Sequence, residues 1–306
     1  MIVALCGGVG AARFLRGLVD VVDPTGITAV VNTGDDVVLH GLHVSPDLDT
    51  VTYTLAGAIS ADRGWGLEGE TWAAMDALAR YPSAETWFRL GDRDLATHLY
   101  RSHRLSQGAG LSAITSEIAA AWGVAVHVLP MTDDRVETRM DVTGQGEIGF
   151  QEYFVRLAHS VAVRGVRFDG AEAARPAPGV LEALAGADLI VICPSNPIVS
   201  IGPVLAVPGV RDALTARRKR VVAVSPIVAG AALKGPADRL LAELGHEASV
   251  VGVARLYAPM AATLVVDEAD ATSASAVEAA GLRCVVAPTV MHGPAEAAAL
   301  ARVVLR

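Results

Sequence analysis

Four aspartates, Asp35, Asp36, Asp47 and Asp49, crowd a short stretch of a chain that opens on Gly7-Gly8-Val9-Gly10. Carboxylates packed this closely repel one another unless a cation or a positive ligand relieves them. Hard oxygen donors of this kind suit Mg²⁺ held jointly with a diphosphate. A second reading is structural: Asp49, just before Thr50, as the N-cap of a helix, with Asp35 and Asp36 in a solvated turn. His40 and His43 stand three apart, but without a helix or a third ligand they do not make a zinc site.

The glycines have a chemistry of their own. Ile2-Val3-Ala4-Leu5-Cys6 is a short apolar run that reads as a buried strand, and Ala11-Ala12-Arg13-Phe14-Leu15 reads as a helix. A strand, a glycine turn and a helix start remove side chains from the path of a ligand. They also aim the free N–H groups of the first helical turn at whatever lies above the strand. An anion, most often a phosphate, suits that place. The dinucleotide fingerprint is not met, because Arg13 stands where its third glycine would be and the first acids come late. A P-loop is excluded too, since no Gly-Lys-Ser/Thr follows.

These residues need a sheet to hold them. Ile27 to Val31 is a second strand that runs into Asn32-Thr33-Gly34-Asp35-Asp36, followed by a loop and a helix from Val51 to Ile59. From Asp62 to about Trp122 the pattern turns helical, which predicts an insertion or cap within a single α/β domain spanning 1–306. Inside it, Trp87-Phe88-Arg89-Leu90-Gly91-Asp92-Arg93-Asp94 sets aromatic rings beside both charge signs, suited either to a flat heteroaromatic ligand or to ordinary core packing. Val124 to Leu129 reads as a strand, and Val136 to Val142 with a Gly144-Gln145-Gly146 turn as a hairpin. The parallel pattern resumes with strands at 188–193, 221–224, 263–266 and 284–286 and a last helix from Pro294. Two of these strands feed polar loops, Pro194-Ser195-Asn196-Pro197 to Ser200 and Ser225 to Lys234, where Lys234 is a phosphate contact or an exposed loop lysine. The fold class expected is α/β: a Rossmann-like, mostly parallel sheet with helices on both faces and ligand loops at the strands' carboxyl ends.

Bulk composition narrows the partners. Of 306 residues, 52% are hydrophobic and 19% charged, which suits a sheet covered on both faces. A formal charge of -8 disfavours a general nucleic-acid binder. There is no membrane-length apolar run and no signal-peptide pattern. Cys6, Cys193 and Cys284 form no CxxC pair and read as buried hydrophobes in a reducing cytoplasm.

Taken in order, these stretches resemble the 2-phospho-L-lactate transferases, also described as phosphoenolpyruvate transferases, of coenzyme F-420 biosynthesis. The resemblance is carried by Gly7 to Arg13, Asn32 to Asp36, Pro46-Asp47-Leu48-Asp49-Thr50 with Tyr53 to Gly57, Leu90 to Thr97, Pro194 to Pro203, and Ser225 to Pro236. It implies a Mg²⁺-dependent transfer from an enolpyruvyl- or lactyl-diphospho-5′-guanosine donor to the deazaflavin 7,8-didemethyl-8-hydroxy-5-deazariboflavin, with release of GMP. It also implies a homodimer. Under it, Asp36 and Asp49 hold the metal or orient the attacking hydroxyl, and Asp49→Asn is expected to abolish transfer with the fold intact. Arg89, Asp92 and Arg93 shape the acceptor pocket. Gly8, Gly10, Arg13, Asn32, Ser195, Asn196, Ser200, Ser225 and Lys234 contact substrate. The chain departs from the family's usual Met-Thr-Asp near the C-terminus, having Met291-His292-Gly293. The competing reading is a nucleotide-sugar-binding regulator of the gluconeogenesis-factor type, which shares the glycine loop. The Pro46 to Gly57 and Leu90 to Thr97 stretches weigh against it.

Overall fold

A computed structural model describes residues 1–306. β1 (Ile2–Cys6) turns at Gly7 into α1 (Gly8–Val19), and β2 (Ile27–Val31) follows. A hairpin of β3 (Val37–Leu39) and β4 (Leu42–Val44) leads to α2 (Pro46–Leu55), α3 (Ala73–Leu78), α4 (Asp94–Ser106) and α5 (Leu111–Ala121) before β5 (His127–Pro130). Next come β6 (Glu137–Val142), β7 (Gly146–Gly149) and β8 (Val163–Asp169), then α6 (Val180–Gly186) and β9 (Leu189–Ile192). The remainder is α7 (Ile201–Ala206), α8 (Val210–Ala216), β10 (Val221–Val224), the short pair β11 (Ile227–Val228) and β12 (Ala231–Ala232), α9 (Ala237–Glu243), α10 (Val250–Tyr257), β13 (Thr263–Val266), α11 (Ala274–Ala279), β14 (Arg283–Val286) and α12 (Pro294–Val304).

Seven strands form one parallel sheet in the order β14-β13-β10-β9-β1-β2-β5. Its strands are runs of Val, Ile, Leu and Ala because both faces are buried. Alternate residues serve opposite cores. Val3, Leu5, Ile190 and Ile192 pack on one side, and Ala4, Cys6, Val191 and Cys193 on the other. The strand order reverses beside β1, whose neighbours are β2 and β9, so the crevice of this α/β sheet opens at the carboxyl ends of β1 and β9. Gly7 and Pro194 leave the sheet there.

The expected sheet strands all form, within a few residues of the predicted limits. Three elements differ from expectation. His40 and Gly41, with φ of 53° and 77°, close a two-residue hairpin where a loop was expected. The helix expected from Val51 begins at Pro46 behind Ser45, so Asp49 is not its cap but lies inside its first turn, together with Asp47. Proline pre-sets the backbone for that first position. The helical run expected over 62–122 is broken. Only α3, α4 and α5 form, and Gly57, Gly64, Gly66 and Gly69 all take left-handed φ in the irregular segment before them. The hairpin of β6 and β7 gains a third strand, β8, in a separate antiparallel sheet.

Candidate active site

A cavity of about 700 Å³ lies over the carboxyl ends of β1 and β9. Its floor is the glycine turn. Gly8 has φ +69°, and a Cβ at Gly10 would stand 2.2 Å from the Pro194 carbonyl oxygen, so the turn needs glycine for conformation at one position and for contact at the other. Ser195 Oγ donates to the Gly7 carbonyl at 2.7 Å and accepts from the Gly7 N–H at 3.3 Å, tying the two loops together. Asn196 Oδ1 accepts from the N–H of Ile198 at 2.9 Å and folds its loop into an Asx turn. Ser200 and Ser225 line the same cavity, and Ser225 Oγ accepts from the Ile227 N–H.

The aspartates divide into two groups. Asp35 and Asp47 face the cavity beside the glycine turn and are buried. Asp47 Oδ2 accepts from Asn32 Nδ2 at 3.0 Å, and Asn32 Oδ1 in turn accepts from the Gly34 N–H at 2.8 Å. Burial pushes Asp47 up to about 6 against the pull of Asn32 and the Gly8 N–H, with Asp36 adding repulsion. Burial, then repulsion from Asp47, drives Asp35 well above the usual carboxylate range. Asp35 Oδ1 has no hydrogen-bond partner although it is shut off from solvent. Two raised carboxylates with an orphaned hard oxygen fit a divalent cation such as Mg²⁺.

Asp49 belongs to the second group. Its Oδ1 is bonded by Arg101 Nη2, and its Oδ2 accepts from Arg101 Nη1 at 3.2 Å. Arg101 is itself fully buried and also donates to the His43 carbonyl at 3.3 Å. Asp94 and His98 complete the cluster: His98 Nε2 stands 3.3 Å from Asp94 Oδ2, and Tyr53 donates to Asp94 Oδ1 at 2.6 Å. Ligand atoms of Asp49, Asp94 and His98 lie within 4.8 Å of one another. Arg101 already supplies positive charge to this set, whereas neither Asp35 nor Asp47 has a cation beside it. Burial raises Asp49, and the Arg101 charge opposes that rise.

Of the expected pair, Asp49 lines the cavity and is held by Arg101, whereas Asp36 is not among the lining residues, although its Oδ1 is buried without a hydrogen-bond partner like that of Asp35. Asp36 sits outside the cavity lining, where its Oδ2 accepts from Ser45 Oγ at 2.7 Å and pairs with His43 Nε2 at 2.8 Å. Asn32 does not line the cavity; it acts through its bonds to Asp47 and the Gly34 turn and through Asp35, whose charge it favours. Arg89 lines the cavity, lies over the Trp72 ring at 5.0 Å and pairs with Asp76 at 2.7 Å. Asp92 and Arg93 do not line it. Asp92 caps α3 through the N–H groups of Ala73 and Ala74, and Arg93 is bonded to the Glu68 carbonyl. Gly8, Gly10, Arg13 and Lys234 all line the cavity, as do Met291 and His292. The residues sequence reasoning missed are Asp94, His98 and Arg101, although their spacing of four and three sets them on one face of α4. Cys6 and Cys193 are buried and Cys284 is only partly so; all three are free thiols.

Comparison with known proteins bears on the fold and the family. The solved structure of a UPF0052 family member from Bacillus halodurans shares the fold, with a TM-score of 0.63 at 17% identity over 100% of this chain and 98% of that one. A phosphoenolpyruvate transferase of Kitasatospora aureofaciens is 49% identical over 99% of this chain and 96% of its own length. One from Streptomyces griseus is 49% identical over 98% and 96%, and one from Nocardia farcinica 44% over 98% and 92%. The family model described as 2-phospho-L-lactate transferase CofD matches residues 2–288, and the chain belongs to that transferase family of coenzyme F-420 biosynthesis.

Proposed function

We propose that this chain transfers a phosphoenolpyruvyl group from an enolpyruvyl-diphospho-5′-guanosine donor to 7,8-didemethyl-8-hydroxy-5-deazariboflavin, with Mg²⁺ as its metal. The choice of the enolpyruvyl donor over the lactyl one follows the relatives, which are phosphoenolpyruvate transferases. The observation that carries the chemistry is the pairing of Asp35 and Asp47, two buried carboxylates raised in pKa, with a glycine turn in one cavity. Asp35 and Asp47 would hold Mg²⁺, which supplies neutralisation of the diphosphate charge. The glycine turn and the Ser195 to Ser200 loop position the diphosphate.

Asp49 orients the acceptor. Both its oxygens are fixed by Arg101, so one free lone pair can point at the ribityl terminal hydroxyl. The hydroxyl oxygen bonds to the phosphorus that carries the enolpyruvyl group, and its proton passes to the Asp49 carboxylate. The bond from that phosphorus to the oxygen of GMP breaks, and GMP leaves with the electron pair. Such a transfer depends mostly on positioning and charge neutralisation. The test offers the protein equal amounts of enolpyruvyl and lactyl donors with the deazaflavin and Mg²⁺, and identifies the adduct by mass. Enolpyruvyl adduct in large excess is expected. Lactyl adduct in excess would overturn the donor assignment, and no adduct from either would overturn the transferase reading.

A further inference from the structure

Two cations on one wall of the cavity have no carboxylate to answer them. Arg13 lies on α1 three residues beyond Gly10, which puts both on the same helical face. The only hydrogen bond of its side chain is a long one, from Nη1 to the Met291 carbonyl at 3.4 Å. Lys234 reaches in from the loop after β12, with Nζ 3.0 Å from where a Cβ on Gly64 would stand. Neither is within 4.0 Å of an acidic oxygen, in a chain whose acids outnumber its Lys and Arg by 33 to 25. The β11–β12 hairpin that precedes Lys234 is anchored at its turn, where Ala229 takes a left-handed φ of 50° and donates its N–H to Asp270 Oδ2 at 2.9 Å. Held together without an anion, the two cations repel each other. Burial and then the Arg13 charge lower the Lys234 ammonium below its ordinary value.

We propose that Arg13 and Lys234 form a clamp for the carboxylate of the three-carbon group on the donor, so that the site selects diphosphate donors bearing a carboxylate on their terminal phosphate. This rests on the donor class proposed above. A second anionic centre is what distinguishes such a donor from GDP. The diphosphate seat proposed above is the glycine turn, where Asp47 Oδ2 stands 3.1 Å from where a Cβ on Gly7 would be, and neither Arg13 nor Lys234 pairs with an acid there. Arg13 and Lys234 line the cavity together with Met291 and His292, and Arg13 lies against that loop through its bond to the Met291 carbonyl. Planar guanidinium and point-charge ammonium together hold a carboxylate in one orientation.

Binding tests this without any need for turnover. The probes are GDP and a GDP ester of glycolate, which carries a carboxylate on its terminal phosphate and is not consumed because the deazaflavin acceptor is left out, each titrated by calorimetry with Mg²⁺ present. In the unmodified protein the glycolate ester should bind at least tenfold tighter than GDP. Arg13→Gln and Lys234→Met should each erase most of that advantage while changing the GDP affinity less than twofold. The methyl ester of the probe, which hides the carboxylate, should bind like GDP to all three proteins. The clamp is overturned if the glycolate ester binds no better than GDP. It is also overturned if the two variants weaken GDP as much as the ester, which would make these residues phosphate contacts. If transfer fails while the carboxylate advantage persists and vanishes in the variants, the activity falls and the clamp stands.

Discussion

At Asp47 the structure makes its sharpest single-residue statement. Its carboxyl titrates near 6 in the folded protein, against a usual 3.8. The native state therefore binds this proton more tightly than the unfolded chain does. This group's contribution to stability falls as pH rises from about 4 through about 6, because the ionised form is disfavoured by burial. Asp47→Asn removes that cost, a gain of up to about 3 kcal/mol at pH 7.5 for a shift of this size, less whatever the Asn32 bond is worth. Thermal unfolding across pH 4 to 8 should show the variant less sensitive to pH, and added Mg²⁺ should no longer stabilise it. Transfer should be lost. Arg101 gives the opposite sign. It is a fully buried cation bonded to both oxygens of Asp49. Arg101→Met leaves a buried carboxylate without its partner and should cost about 3–5 kcal/mol in denaturant unfolding. Asp49→Asn leaves the guanidinium unanswered, so loss of transfer there should come with a lower melting temperature rather than with the fold untouched. A variant as stable as its parent would show that Asp49 and Arg101 are not the coupled pair described.

Among the elements, the turn between β1 and α1 fixes most of the geometry. Adding one methyl at Gly10 places it against the Pro194 carbonyl, a backbone atom that cannot swing aside. Gly10→Ala should cost about 1–3 kcal/mol by overpacking and weaken GDP binding, since the loops after β1 and β9 would be pushed apart. Calorimetry of GDP with that variant checks it; unchanged affinity would mean the turn does not position the nucleotide. This turn was legible in the sequence because a buried strand, glycines and an amphipathic helix are local signals. The strands of the parallel sheet were legible for the same reason. The start of α2 was not. Ser45-Pro46 is a helix start, yet the acids after it look like a loop until their burial in the first turn is seen. The pairing of Asp49 with Arg101 spans 52 residues. Spacing along α4 shows that Asp94, His98 and Arg101 share a face, but which partner that face meets depends on how α4 packs. Asp92 and Arg93 are the converse case: their charges sit in a suggestive motif, but they are spent on capping α3 and holding the Glu68 carbonyl.

For the whole molecule, the cavity, the sheet's strand reversal and the acids coincide at one end of the parallel strands, so ligand binding should register as global stability. GDP with Mg²⁺ at 100 times its dissociation constant should add about 2.7 kcal/mol. In a thermal scan that is a rise of roughly 5 °C for a domain of this size. The deazaflavin should add to it, whereas UDP-N-acetylglucosamine should do nothing. The reverse pattern would favour a nucleotide-sugar-binding regulator on this fold. No helix is long and apolar enough to cross a membrane. The central claim is a group transfer that requires both substrates in one cavity, and acceptor dependence tests it most directly. The enolpyruvyl donor is incubated with the protein and Mg²⁺, with and without the deazaflavin, and GMP and adduct are quantified together. GMP and adduct should form in equal amounts, GMP only when the deazaflavin is present, and neither product with Asp47→Asn. GMP released at the same rate without the deazaflavin, or no GMP at all, would contradict that claim.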